Sequence, residues 1–277
     1  MSDALRTPGA VLGLALTGAL LALALFADVV APGDPFASVA PPLSPPSRAH
    51  LLGSDDLGRD LLSGVVHGAR TSVAVSLGVT AVAALIGIVV GAIAGYTPGG
   101  VDDLLMRGTE SVQVVPRFFL AVVVIALFGP GLDRVVVVLG LSSWPAIARV
   151  VRAETLSLAR REFVDAARAL GASAPRILMR QVVPNALPAA LVVVSLNAAS
   201  VILLEAGLGF IGLGDPRAIS LGYLANNAQR FLRVAWWMAV FPGAAIALAI
   251  LGLNLLGDAL ADVGNPRRVR GGAVAAH

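Results

Sequence analysis

The chain has no cysteine, and all 20 of its basic residues are arginine. Without cysteine there is neither a disulfide framework nor a thiolate metal site, and the redox compartment cannot be read. The lack of lysine looks like genome composition and carries no functional message. Charge is scarce too: 13% of the 277 residues are charged and 5% are aromatic, whereas a soluble domain is about 25% charged. His50, His67 and His277 lie far apart in sequence, without the clustering that metal ligands require. No G-x-x-x-x-G-K-S/T phosphate loop occurs, so the chain does not bind ATP through that motif. No nucleophile–base pair stands near the end of an apolar run, which argues against a membrane enzyme.

What is present is apolar: 57% of residues are hydrophobic. Ala, Val, Leu and Gly dominate, as in closely packed helices. A β-barrel would show alternating segments of about ten residues. The reading is an all-α polytopic membrane protein. The net charge of +3 does not indicate nucleic acid, because cytoplasmic loops of membrane proteins are expected to be basic.

A helix crossing the bilayer needs about 20 apolar residues. Residues 8–27, 71–101, 181–204 and 234–257 carry no charge and predict four spans. In the middle, residues 118–132 and 135–148 are uncharged runs separated by Asp133 and Arg134. Two readings stand there: a hairpin of two spans turning at the Gly/Pro-rich residues 128–134, or one long span with an ion pair at its centre. The hairpin is preferred because burying Asp133 and Arg134 mid-membrane is costly. It places Glu110, Gln113 and Arg117 in the bundle or at its interface, and the total becomes six transmembrane helices. Residues 1–27 resemble a retained anchor more than a cleaved signal peptide, whose apolar core runs about 7–15 residues.

Arginine distribution sets the expected orientation. With both termini inside, the inner segments hold 13 arginines and the outer segments 7, the excess lying mostly in residues 149–184. The expected organisation is an anchor with an extracytoplasmic segment (1–70), a transmembrane domain (71–258) with a cytoplasmic loop at 154–184, and a cytoplasmic tail (259–277). The outer segment starts with six prolines in the 18 residues 31–48, which predicts extended chain. Residues 50–72 read as a short helix on the outer membrane surface; Asp55, Asp56 and Asp60 lack calcium-loop spacing. Gly87, Gly91 and Gly95 share one helix face, suiting close helix packing or, less simply, a lined pathway. Asn197 and Asn254 either hydrogen-bond between helices or line a path. Asp103 and Arg107 stand at i,i+4 spacing on a helix between the second and third spans.

The most informative stretch is residues 154–184. Leu156, Ala159, Phe163, Ala166, Ala167 and Leu170 recur at helical spacing, predicting one helix over 154–170. Gly171 suits the left-handed position after a helix. Ser173 and Pro175 suit the start of a second helix reaching about residue 183, with Pro184 and Pro188 at the beginning of the next span. From the residues alone, this elbow either lies on lipid headgroups or docks a partner that closes on the small Ala166 and Ala167. A DNA-reading helix-turn-helix is disfavoured by the tether at both ends.

Asp165-Ala166-Ala167, then Gly171 and, thirteen positions on, Pro184, resembles the EAA loop of membrane subunits of ATP-binding-cassette importers. Residues 52–72, 95–107, 205–214 and 254–262 are similar to the dipeptide, oligopeptide and nickel permease branch, most of all its second, C-type subunit. The family pattern opens with Glu where this chain has Asp165. The resemblance implies the fold of a type I importer transmembrane domain. It also implies ATPase coupling through Asp165, Ala166, Ala167 and Gly171, with Arg160, Arg161, Glu162 and Arg168 at the rim. The implied partners are two ATP-binding-cassette ATPase subunits, a second homologous permease and an extracytoplasmic solute-binding protein. ATP and Mg would reside on the ATPase subunits, leaving no cofactor in this chain. The cargo would be a di- or oligopeptide or a related solute. A self-sufficient secondary transporter or channel is the alternative, but the four uncharged spans lack the carboxylates that such carriers use.

Overall fold

The computed structural model describes residues 7–264; the first six residues and most of the expected tail, 265–277, lie outside them. Among the described residues there is no strand, only two isolated antiparallel bridges. The chain forms helices α1 (Pro8–Leu25), α2 (Ala27–Val30), α3 (Leu61–Tyr96), α4 (Gly100–Gln113), α5 (Arg117–Phe128), α6 (Leu132–Leu158), α7 (Glu162–Ala169), α8 (Ala174–Ile177), α9 (Val183–Phe210), α10 (Leu221–Ala228) and α11 (Trp237–Gly264). A π-helical turn, Leu178–Val182, joins α8 to α9.

Five of these helical runs are long and apolar enough to cross a membrane, and α4 with α5 forms a sixth candidate bent by 68°. The bend falls where Pro116 caps α5; a proline supplies no backbone N–H to continue α4. The expected hairpin is therefore unequal. Its first arm is the short α5, while α6 continues past residue 148 through Pro145 and on to Leu158.

Two further expectations are corrected. Residues 61–72 are not a separate surface helix but the opening turns of α3, whose N-terminus is capped by Asp60 accepting from Ser63 N at 2.9 Å. At 36 residues and about 1.5 Å per residue, α3 outruns a ~30 Å hydrocarbon core, so one end stands clear of it. It also runs across the boundary drawn at residues 70/71. The proline-rich segment forms no helix, as expected, but it is tied down. Ser54 Oγ donates to Pro41 O at 2.7 Å, Asp55 Oδ1 accepts from Leu57 N and Arg59 N, and Trp237 Nε1 donates to Ser54 O at 3.1 Å. These bonds dock the segment on the start of α11. Leu61, Leu221, Leu224, Trp237 and Met238 form the apolar core beneath it.

The centre of the bundle is α3 packed on α6 and α9. A methyl group placed on Gly87 would lie 2.7 Å from Ile147 Cβ; on Gly91 it would collide with Ala148 O; on Gly95 it would come within 2.6 Å of Arg152 O. The stripe is thus a packing surface for α6. Ala83, Ala92, Ile147, Val151 and Ala190 close the core along it.

Candidate functional site

The single helix expected over residues 154–170 is two. Helix α6 ends at Leu158, the chain turns through Ala159–Arg161, and α7 starts afresh at Glu162. The periodicity is continuous across the break, so the apolar spacing alone could not reveal it. The end of α7 follows expectation: Gly171 has φ +79°. Gly171 N donates to Arg168 O at 2.9 Å and Ala172 N to Ala167 O at 3.1 Å, the paired bonds of a Schellman cap.

One face of α7 is internal. Val164 and Ala167 are buried with Leu158, Ile177, Val182 and Ala186. The other face is exposed and carries Glu162, Phe163, Asp165, Ala166 and Ala169, followed by Leu170 and Gly171. Leu170 is 89% exposed, and Met179 on the adjoining turn 65%. Of the alanine pair, only Ala166 is open to a partner; Ala167 fastens the elbow to the bundle. Arg168 bonds Asp165 at 2.9 Å and sits over the Tyr96 ring at the end of α3, so it braces the elbow from within the chain.

Two ion-bearing sites flank the α4–α6 contact. Asp103 and Arg107 form no ion pair. Instead Asp102, buried on α4, takes Arg152 of α6 in a two-point bond at 2.5 and 2.6 Å. This pair spans 50 residues and left no local sequence signal. Arg117, at the start of α5, donates from Nη1 to Ser143 Oγ on α6 at 3.2 Å and to Asn197 Oδ1 on α9 at 3.5 Å. Asn197 is buried, and its Nδ2 has no partner. Asn197 therefore does make an interhelical contact, while Asn254 sits half-buried in α11 without joining this cluster. A cavity of about 320 Å³ lies beside the cluster, lined by Gln113, Arg117, Ser142, Ser143 and Pro145 among others. Near the far end of α9, the buried Glu205 accepts from Ser72 Oγ at 2.7 Å, and Leu221 N reaches the same Ser72, fastening α3, α9 and α10 together. No group of three or more potential metal-ligating side chains occurs among the described residues.

The arrangement of helices is that of a type I importer membrane domain. The MetNI methionine ABC transporter, solved in an inward-facing conformation, superposes with a TM-score of 0.61 over 74% of this chain and 98% of that one, at 21% identity; this likeness concerns the fold alone. Residues 87–270 match the family model described as binding-protein-dependent transport system inner membrane component. The Di/tripeptide transport system permease protein DppC of Pseudomonas aeruginosa is 37% identical over 94% of this chain and 88% of its own length. The Dipeptide transport system permease protein DppC of Alkalihalophilus pseudofirmus is 33% identical over 93% and 86%. The chain belongs to the binding-protein-dependent transport system inner membrane component family, as a multi-pass permease subunit of an ABC importer.

Proposed function

We propose that this permease carries di- or oligopeptides, or a closely related solute, and that it couples to separate ATPase subunits through the exposed face of α7. The peptide reading rests on the names of the relatives. The coupling reading rests on one observation: a two-helix elbow whose inner face is packed and whose outer face leaves Phe163, Ala166 and Leu170 uncovered at the end of the bundle. Asp165 and Glu162 flank that face as polar contacts, and Gly171 sets the turn. Arg168 and Ala167 would act indirectly, by holding the elbow in shape.

In this scheme two ATPase subunits bind ATP and Mg, a second permease completes the path, and an extracytoplasmic binding protein delivers cargo. Both termini and the elbow are cytoplasmic. Residues 1–70 serve as anchor and outer cap, 71–258 as the transmembrane domain and 259–277 as tail. Asn197 faces the path; a role there for Asn254 rests on its position in α11 alone.

Because the chain has no cysteine, a single cysteine placed at Ala166 is the only thiol to label. It should react with impermeant maleimide in inverted vesicles and not in intact cells. The bulky charged substitution Ala166→Arg should leave insertion intact, remove the ATPase subunits from the purified complex and abolish uptake. Normal uptake by a stably inserted Ala166→Arg protein, or labelling of the introduced cysteine only from outside, would overturn the docking scheme.

A further inference from the structure

Arg117 is a feature of the bundle that packing does not explain. Helices α5 and α6 meet at the turn of residues 129–131, and Leu132 packs in one apolar cluster with Leu208 and Leu213 at the end of α9 and just beyond it, so these three helix ends lie on the same side. Counting back at about 1.5 Å per residue, Arg117 lies roughly 17 Å from the end of α5, Ser143 about 17 Å along α6 and Asn197 about 20 Å from the end of α9. All three sit near the mid-depth of a ~30 Å hydrocarbon core, where an arginine is costly unless it is compensated.

The compensation within the chain is incomplete. Among the described residues no carboxylate lies within ion-pair distance of Arg117; its partners are two neutral oxygens, both reached from Nη1. The Nε and Nη2 hydrogens are left without a protein acceptor, and they form the planar fork that takes a carboxylate at two points. The unpartnered Nδ2 of buried Asn197 is a further donor beside the same cluster. A cavity of about 320 Å³ is lined by Arg117 and Ser143, within the size range of small-molecule sites. The whole cluster offers spare donors and no spare anion.

We infer that Arg117, with Ser143 and Asn197, forms a mid-depth recognition point for the terminal carboxylate of the transported solute. This rests on the peptide reading above, since a free C-terminal carboxylate is the anionic group that unmodified linear peptides share. The cation lowers the cost of bringing that charge through the membrane. Because no second cation stands beside it in the cluster, the hold is loose enough for release.

The test is uptake of L-alanyl-L-alanine and of its C-terminal amide by cells carrying the whole importer. The unsubstituted protein is compared with Arg117→Gln, Arg117→Lys and Asn197→Asp. The binding protein is common to every strain, so a change in the acid-to-amide ratio between strains belongs to the permease. Arg117→Gln should lower that ratio by about tenfold or more, because a site built on polar pairing discriminates strongly. Arg117→Lys, which keeps the charge but loses the two-point fork, should retain only part of the ratio. Asn197→Asp, which supplies a carboxylate inside the chain, should lower it as Arg117→Gln does. If Arg117→Gln is too inactive to measure, the other two variants decide by the same criterion. An unchanged ratio in the variants overturns the site. An unchanged ratio together with loss of the second permease from the purified complex assigns Arg117 to an inter-subunit ion pair instead. A wild-type strain that takes up neither compound overturns the peptide reading itself, and the inference with it.

Discussion

The α3–α6 seam and the elbow both depend on glycine, for opposite reasons. At the seam, backbone and Cβ atoms of α6 occupy the space where side chains on Gly87, Gly91 and Gly95 would stand. At the elbow, Gly171 has nothing within 4 Å of its missing Cβ, yet it holds φ at +79°. One region needs glycine because of distance between helices, the other because of a dihedral angle. A seam of the first kind cannot yield, since what blocks it is backbone and the Cβ atoms fixed to it. A turn of the second kind can adopt its shape with another residue at a modest cost.

Substitution should separate the two. Gly91→Leu has the largest expected effect: overpacking against Ala148 and Val151 should cost more than about 3 kcal/mol and keep the protein from accumulating in membranes. Gly91→Ala, costing roughly 1–3 kcal/mol, is the version that can be purified. An unchanged melting temperature in detergent would break the distance argument. Next comes Asp102→Ala, which strands Arg152 beside the same seam; about 2–3 kcal/mol should be lost, with part recovered in the double variant Asp102→Ala/Arg152→Met. Gly171→Ala should cost only about 1 kcal/mol, and Gly171→Asn less, because asparagine tolerates the left-handed region. A seam-sized loss at Gly171 would erase the distinction.

The smallest effect is expected at the turn between α9 and α10. Burial pushes the Asp215 carboxyl upward, but the Arg217 backbone and side chain, together with the Leu132 N–H, outweigh it and leave the pKa below its ordinary value. A carboxyl lowered in the folded state contributes stability above its unfolded pKa and loses it as pH falls through the folded one. The melting temperature should therefore decline below about pH 4, and Asp215→Asn should flatten part of that decline.

Much of this was legible in the chain. The uncharged windows locate α1, α3, α9 and α11, because apolar length is what a bilayer demands. The Gly171 turn and the Ser173–Pro175 helix start were legible because backbone dihedral preference is a local matter, although the Ser173 side chain makes no capping bond. The break at Ala159–Arg161 was not, since its apolar spacing continues unbroken through a change of direction. Nor was the docking of the proline-rich segment, which depends on Trp237 reaching Ser54 across 183 residues. The Asp103–Arg107 spacing produced no ion pair because both side chains are exposed, where a pair gains little. Asp102, one residue earlier, faces α6 and takes Arg152.

By itself the sequence determined the class of protein, the place of its four uncharged spans, and the place of the elbow. These follow from hydrophobic length, helical period and backbone dihedral preference, all properties of neighbouring residues. Tertiary structure alone decided that Ala167 turns inward while Ala166 stays open, that Arg152 has a carboxylate and that Arg117 has none. Those outcomes depend on which helix faces lie against each other, and interhelical distance is set by packing among residues far apart in the chain.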